Sequence, residues 1–460
     1  MVSASLAADA GFSPAIATPT IQPGETGSNA SAPALPVSRF TDLHLADVLR
    51  LALERNRTVI GSRQQIEAAE GQVAQARAII GTKLTGKFTQ TRLDEVGSIN
   101  LGGRTIPTGK QDIQKAYVEL AQPLFLGSKD RAALASARLG RAAAVSEDTY
   151  TRQQVLRQAT MVWLGWLFAR EVERVSHKDL DLAEEHHKLV TARFNQDQAS
   201  KFELLRANVR LAQASSKFRQ ENNNVDLARL ELLRILSLPA DLAIGTNDRL
   251  TLEEFEADFA RDASEAVELR EDLRIRRLEA RIAAQGLRSA RGEKQPSLNV
   301  FGQAGSENPS SKSGMGNFVR KSYWNAGLSL EFPLVDAGLR HGKVQEAEAR
   351  LRVAENAFQD ALEQAQVEIR QALLNLQTAR EVVQAQEESL KQAEEALRLA
   401  GVKYANGLFT QVEIFDAENA YLNTNLLYLQ AVYAHHQARV AYLLATGKLG
   451  RELICQAVAP

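Results

Sequence analysis

Apolar residues recur three and four positions apart through much of the second half of the chain. The series runs Val344, Ala347, Leu351, Ala354, Phe358, Ala361, Ala365 and, after one slip, Ile369, Ala372, Leu376, Ala379, Val383, Gln386, Leu390, Ala393, Leu397, Ala400 and Tyr404, with Gln386 the polar exception. This spacing draws a single stripe along a helix, so it predicts a coiled-coil helix over 338–404 with a stutter at the slip. Alanine fills many of the stripe positions, which lets a neighbouring helix come close. Similar patterns predict a second very long helix over 128–194 and shorter ones over 58–80, 200–236 and 410–445, with another ending at Arg291.

Elsewhere the period falls to two. Trp324, Ala326, Leu328, Leu330 and Phe332 alternate with Asn325, Gly327, Ser329 and Glu331, and Ala116, Val118 and Leu120 alternate with Lys115, Tyr117 and Glu119. Alternation of this kind predicts strands with one apolar and one polar face. Strands are expected over 83–92, 113–125, 297–305 and 323–334. The glycine-rich stretches Gly102-Gly103 and Gly314-Met315-Gly316 fall in strand-to-strand loops.

The order of elements repeats. Arg193-Phe194-Asn195 and Lys201-Phe202-Glu203-Leu204-Leu205-Arg206-Ala207 are answered 210 positions later by Lys403-Tyr404-Ala405 and Gln411-Val412-Glu413-Ile414-Phe415-Asp416-Ala417. Pro123-Leu124 and Pro333-Leu334 share that offset, as do Ala169-Arg170-Glu171-Val172 and Ala379-Arg380-Glu381-Val382. Ala68-Ala69-Glu70-Gly71 matches Ala283-Ala284-Gln285-Gly286 at a slightly larger one. The organisation read from this is a disordered segment over 1–38, a first repeat over 39–236, a linker over 237–263, a second repeat over 264–447 and an irregular tail over 448–460. In the first segment Ala4-Ser5-Leu6-Ala7-Ala8 has the small-residue character of a signal-sequence end, so the chain is expected to begin inside such a sequence.

Helix lengths then suggest a shape. A helix over 128–194 would reach ~100 Å, and helices over 58–80 and 200–236 laid end to end would reach ~90 Å, at ~1.5 Å per residue. Each repeat is thus a rod with its strand pair at one end and a tight turn at the other. No segment supplies the ~20 apolar residues of a membrane helix. The most apolar run, 159–169, is confined between Arg157 and Arg170. If the strands cross a membrane instead, four cannot close a barrel, and open edges in lipid would leave backbone groups unpaired. Three copies would supply twelve strands.

Composition changes this picture little. With 44% hydrophobic and 24% charged residues and a net charge of −1 over 460 residues, the chain lacks the basic excess of a nucleic-acid binder. Cys455 is the only cysteine, so no internal disulfide forms and no lipid-attachment cysteine stands near the start. No nucleophile elbow, P-loop, dinucleotide fingerprint or zinc spacing occurs, and neither enzyme activity nor a cofactor is expected. His186-His187 and His435-His436 are adjacent pairs, about 100° apart on a helix, which makes exposed helix residues a better reading than metal ligands.

Gln122-Pro123-Leu124-Phe125 and Phe332-Pro333-Leu334-Val335-Asp336-Ala337-Gly338, each leading into an Ala/Glu/Arg-rich helix, resemble the strand-to-helix junctions of TolC-type outer membrane factors. Tyr404-Ala405-Asn406-Gly407-Leu408-Phe409-Thr410, followed by Val412-Glu413-Ile414-Phe415-Asp416-Ala417, resembles that family's hairpin tip. The resemblance spans about residues 40–447. It implies a mainly α chain with a β-barrel contribution: a duplicated helical-hairpin unit forming a long α-barrel, with four membrane strands per chain completing a twelve-stranded barrel in a homotrimer. The implied function is a passive outer-membrane duct for a tripartite efflux or type I secretion system. Most of the duct would lie in the periplasm, served by a periplasmic adaptor and an inner-membrane pump.

For the sites, the resemblance implies adaptor contacts at Asp197, Gln198, Ala199 and Ser200 and at Asn406, Gly407, Leu408 and Thr410. It also implies an acidic pore constriction at Glu413 and Asp416, with Glu203 and Arg206 in the equivalent places of the first copy. Three departures stand out. Asp197 replaces the glycine expected at the first tip. Phe409 occupies a place where a basic latch residue can sit. The lipidation cysteine of many relatives is absent. The competing reading is a soluble or periplasmic coiled-coil scaffold or adaptor. Adaptors, however, usually carry one hairpin and β-rich domains.

Overall fold

The structure, a computed structural model, describes residues 42–107, 111–252, 255, 257–308 and 320–458. The expected disordered segment and signal end, and the Gly314-Met315-Gly316 loop, lie outside these residues. The first repeat holds α1 (Leu45–Arg55), α2 (Arg57–Ala78), β1 (Lys83–Arg92), β2 (Ser98–Leu101), β3 (Arg104–Pro107), β4 (Asp112–Phe125), α3 (Lys129–Asn195) and α4 (Lys201–Ile235). The second holds α5 (Phe259–Leu269), α6 (Glu271–Gly292), β5 (Ser297–Asn308), β6 (Lys321–Glu331), α7 (Leu339–Ala405), α8 (Gln411–Ala445) and α9 (Leu449–Val458).

Four expectations change. The tail is the helix α9, and α5 begins inside the expected linker. The additional helix α1 precedes α2. The Gly102-Gly103 stretch is the turn of a hairpin, β2 against β3, with both glycines at positive φ. These short elements lack the long periodicity that exposes the large helices in sequence. The short helices α1 and α9 gather with residues 237–252 around the middle of the rod as a belt, where Trp163, Trp166, Leu232, Leu236 and Leu449 share one core.

The four long strands form one antiparallel sheet in the order β1-β4-β5-β6. Register decides what each face presents. Leu84, Gly86 and Phe88 stand opposite Leu120, Val118 and Ala116, which stand opposite Gly302, Ala304 and Ser306. Val300, Gly302 and Ala304 in turn face Leu328, Ala326 and Trp324. Directly paired residues share a face, so one face is apolar across all four strands; Trp324 on it is 80% exposed. The other face carries Lys87, Tyr117, Glu119, Gln303 and Asn325, and a Lys115–Glu307 ion pair at 3.1 Å.

The helices form a single-layer strip. α3 packs against α2 and α4 on one side and against α6 and α8 on the other, and α7 packs against α6 and α8. The short helices stack in two lines, α2 with α4 and α6 with α8, as their lengths anticipate. The stripe read on α7 is its packed face: Ala365, Ile369, Ala372, Leu376, Val383 and Ala400, all on the stripe, are its buried residues. Both edges of the strip end openly. Opposite its stripe, α7 exposes Val353, Val367, Leu374 and Val402, spaced by multiples of seven; α4 exposes Phe202, Val209 and Leu230 with the same spacing. Each open helix edge continues into an open strand edge, β6 leading to α7 and α2 leading to β1.

Candidate functional site

The two hairpin tips are built alike. In α7–α8 the Leu408 amide donates to Lys403 O (2.9 Å) and the Gly407 amide to Tyr404 O (3.1 Å), with Gly407 at φ 73. In α3–α4 the Gln198 amide donates to Arg193 O (2.8 Å) and the Asp197 amide to Phe194 O (3.0 Å), with Asp197 at φ 58. Both are the helix ending that needs one left-handed residue. Asp197 therefore accepts the conformation of the glycine it replaces. Asn406, Leu408, Asp197, Gln198 and Ser200 are exposed, Leu408 to 75%. Thr410 is exposed as well, and Ala199 is half-buried. Phe409 carries no charge itself, but the Lys403 ammonium sits 4.8 Å from its ring centre.

The next turn gives two of the acidic residues a local role. Thr410 caps α8, and Glu413 folds back to accept from the Thr410 amide (2.6 Å) and hydroxyl (2.9 Å). Ser200 and Glu203 do the same for α4, with the Ser200 amide 2.6 Å from Glu203 Oε2. Glu413 and Glu203 are thus the fourth residues of two capping boxes, a Ser/Thr-x-x-Glu pattern present in the sequence. The amide and hydroxyl of Thr410 hold the Glu413 carboxyl below the usual glutamate range. Arg206 does not neutralise Glu203: its guanidinium lies over Phe415 at 5.4 Å. Asp416 is exposed and makes no hydrogen bond or ion pair among the described residues, so it is the carboxylate of the three that is free.

Asp416 heads a polar row. Asp416, Asn423, Gln430 and Gln437 stand seven apart on α8, the first three exposed and the last half-buried. Gln437 lines a hollow of ≈ 610 Å³ with Gln153, Gln154, Gln371 and Asn375, where α8 meets α6. The belt touches α8 on a different face, through His436 Nε2 to Thr251 O (2.8 Å) and Arg439 over Phe255. The polar row therefore runs on the belt-free surface of the strip.

The histidines correct a second expectation, since His186, His435 and His436 are buried rather than exposed. Sequence reasoning also passed over a polar cluster just above the tips. Asp179 of α3 pairs with Arg210 of α4, and Glu418 of α8 lies beside them; Gln411 of α8 bonds His186 of α3 at 3.1 Å. The signal was available: Gln411 and Glu418 occupy the same helical stripe as Ile414, Phe415, Tyr421 and Leu422. Among the described residues no three His, Cys, Asp or Glu are grouped to hold a metal ion, and no helix is long and apolar enough to cross a membrane.

Comparison with known proteins agrees with this architecture. The outer membrane efflux protein profile matches residues 48–237 and 263–448. The CmeC outer membrane channel of Campylobacter jejuni superposes with a TM-score of 0.77 at 19% identity, covering 90% of this chain and 89% of that one. VceC of Vibrio cholerae gives 0.72 at 20% identity, covering 89% and 97%. The open-state MtrE channel of Neisseria gonorrhoeae gives 0.73 at 20%, covering 89% and 90%. No curated protein sequence matches significantly. With more than half its length inside the profile in two matching blocks, the chain belongs to the outer membrane efflux protein family and is an outer-membrane channel subunit, not a soluble scaffold.

Proposed function

We propose that three copies of this chain close edge to edge into a duct that carries cargo from the periplasm to the exterior. The observation that carries the reading is the pair of open edges. β1 and β6 present unpaired backbone at the edges of a sheet with one mainly apolar face, and no such edge can stand in lipid. The seven-spaced apolar residues on α4 and α7 offer the matching helical seam. The belt then encircles the tunnel, and the belt-free surface with its Asp416–Asn423–Gln430–Gln437 row lines the bore. A polar, mostly uncharged wall suits passage without retention.

The tips form the periplasmic end. Exposed Leu408 on a rigidly capped turn is an apolar anchor for a periplasmic adaptor, which links the duct to an inner-membrane pump that supplies the energy. Asp416 supplies three carboxylates at the mouth and attracts cations there. Glu413 and Glu203 act mainly by holding the tips in shape.

Three measurements test this. Detergent extracts should yield a trimer; a stable monomer in detergent-free buffer rules the duct out. In planar bilayers Asp416→Asn should lower cation selectivity and weaken block by multivalent cations, whereas an unchanged channel would remove Asp416 from the constriction. Leu408→Asp should abolish export from cells while trimers persist.

A further inference from the structure

Below the belt, the hairpin α3–α4 meets the hairpin α7–α8 chiefly where α3 lies against α8. Near the belt this seam is apolar, with Phe168 stacked on Tyr433 at 5.0 Å. Toward the tips it turns polar. Lys178 donates to Tyr421 Oη (2.9 Å), and Asp179 pairs with Arg210. Glu418, 5% exposed, adjoins that pair, yet neither its Oε2 nor Arg210 Nε has a hydrogen-bond partner among the described residues. His186, 7% exposed, bonds Gln411 and packs on Phe415 at 4.7 Å between ring centres.

Charge balance at this seam is already complete without Glu418. Arg210 answers Asp179, so an ionised Glu418 would be a second buried anion with an unpaired oxygen, an arrangement of high cost. An imidazolium at His186 would be equally misplaced, with Arg210 and Arg193 close by. The charged and titratable groups around Glu418 and His186 are Lys178, Asp179, His187 and Arg193 from α3, Glu203, Arg206 and Arg210 from α4, Tyr404 from α7, and Tyr421 from α8 itself.

We propose that the tip end of the α3–α8 seam is a proton-compensated clasp: Glu418 is held as the neutral acid and His186 as the neutral ring, and their opposite responses to acid cancel. The inference rests on the reading of the tips as the narrow end of the duct. Opening the clasp wets both groups. The proton on Glu418 is then given up and one is gained at His186, so the seam exchanges two neutral groups for an ion pair with no net proton taken up.

The directions follow from the two environments. Burial, reinforced by Asp179 and opposed by Arg210, raises Glu418 from 4.5 to about 7. Its contribution to closure is full below about 4.5 and is lost as pH rises through about 7. Burial, aided by Arg193 and Arg210, lowers His186 from 6.5 to about 4. Its contribution is full above about 6.5 and is lost as pH falls through about 4. Over the shared interval the two slopes oppose each other, and closure stays nearly constant.

Hydrogen exchange of detergent-purified trimers tests this, read in segments 179–190 and 411–422 and corrected for intrinsic rates between about pH 4.5 and 7. The full-length unmodified protein should change its protection by less than about threefold. Glu418→Gln should gain at least about tenfold as pH rises, and His186→Gln should lose at least about tenfold. Opposite slopes are the mark of compensation, since a seam that is merely structural would shift both variants alike. Two variants that follow the unmodified profile, or that move in one direction, overturn the clasp. If Glu418→Gln fails to form trimers, the slope of His186→Gln decides alone. Bilayer conductance of the same proteins separates the two readings: opposite exchange slopes without matching changes in conductance keep the clasp and overturn the tips as the narrow end.

Discussion

α3 and α7 are the same helix twice, each 67 residues long, starting 210 positions apart. Yet α3 buries 18 residues within the chain and α7 buries six. Their partners invert the ratio, with six buried residues on α4 and 14 on α8. The cause is place in the strip rather than propensity. α3 and α8 have neighbours on both sides, whereas α4 and α7 are edges waiting for another copy. The apolar residues lost to the interior of α7 reappear opposite its stripe, where only a second chain can cover them.

The largest expected effect sets one interior position against its counterpart on the edge. Leu164 on α3 is buried and Leu374 on α7 is exposed at the same offset. Leu164→Asp should cost about 4 kcal/mol or more, from the lost side chain plus an unpaired buried charge, and should prevent folding. Leu374→Asp should leave the helices intact and yield monomers that fail to close, seen as native helical circular dichroism with a shift to monomer in sedimentation. Loss of helix in Leu374→Asp would break the comparison.

Left-handed positions sharpen it further. Gly127 and Ser128, Asp197 and Ser237 adopt positive φ in the first copy; Ala337, Gly338, Gly407 and Gly447 adopt it 210 positions later. In each of the four pairs one copy carries glycine and the other does not. Two pairs are forced by contact: a Cβ on Gly127 would come 2.5 Å from Gly292 O, and a Cβ on Gly447 would come 2.9 Å from the Leu269 backbone. Gly447→Ser should therefore lower stability by about 2 kcal/mol through crowding and strain together. Ser237→Gly should be nearly silent in the same thermal melt.

The caps come next in size. Thr410→Ala and Ser200→Ala should each remove about 1 kcal/mol and fray the tip, raising amide exchange in the first turn of α8 or α4. Equal effects at both tips are expected because the two boxes have the same geometry. The smallest effect is a gain. Asp197→Gly should stabilise the first tip by about 0.5 kcal/mol, as glycine bears a left-handed turn without the side-chain penalty. A loss of stability there would mean that the Asp197 side chain does more than occupy the turn.

Much of the fold was legible because its signals are long. Eighteen stripe positions on α7 and clean alternation in β6 leave little room for another period, and the duplication checks each element against its copy. The elements that escaped are short. α1, α5 and α9 have 11, 11 and 10 residues, too few for helices of their own; α1 and α9 gain their stability from the belt core and α5 from packing on α6 and α7. At the site, the tip turns were readable from Gly407 and from its counterpart Asp197. The roles of the acidic residues were not. Glu413 and Asp416 look equivalent as letters three apart, and the capping box separates them.

The sequence by itself determined the repeat, the periods and the lengths, since these depend only on the order of apolar and polar residues along a local geometry. It thereby determined a rod with strands at one end and tips at the other. Which edge of each helix meets its own chain and which is left open was decided by tertiary structure, because two copies of one pattern took unequal places in a single-layer strip. The same is true of the apolar sheet face, which exists only through register across four strands drawn from both repeats. It holds again for Glu418 and His186, polar residues far apart in the chain, whose protonation is set by what α3, α4 and α8 exclude from the space between them.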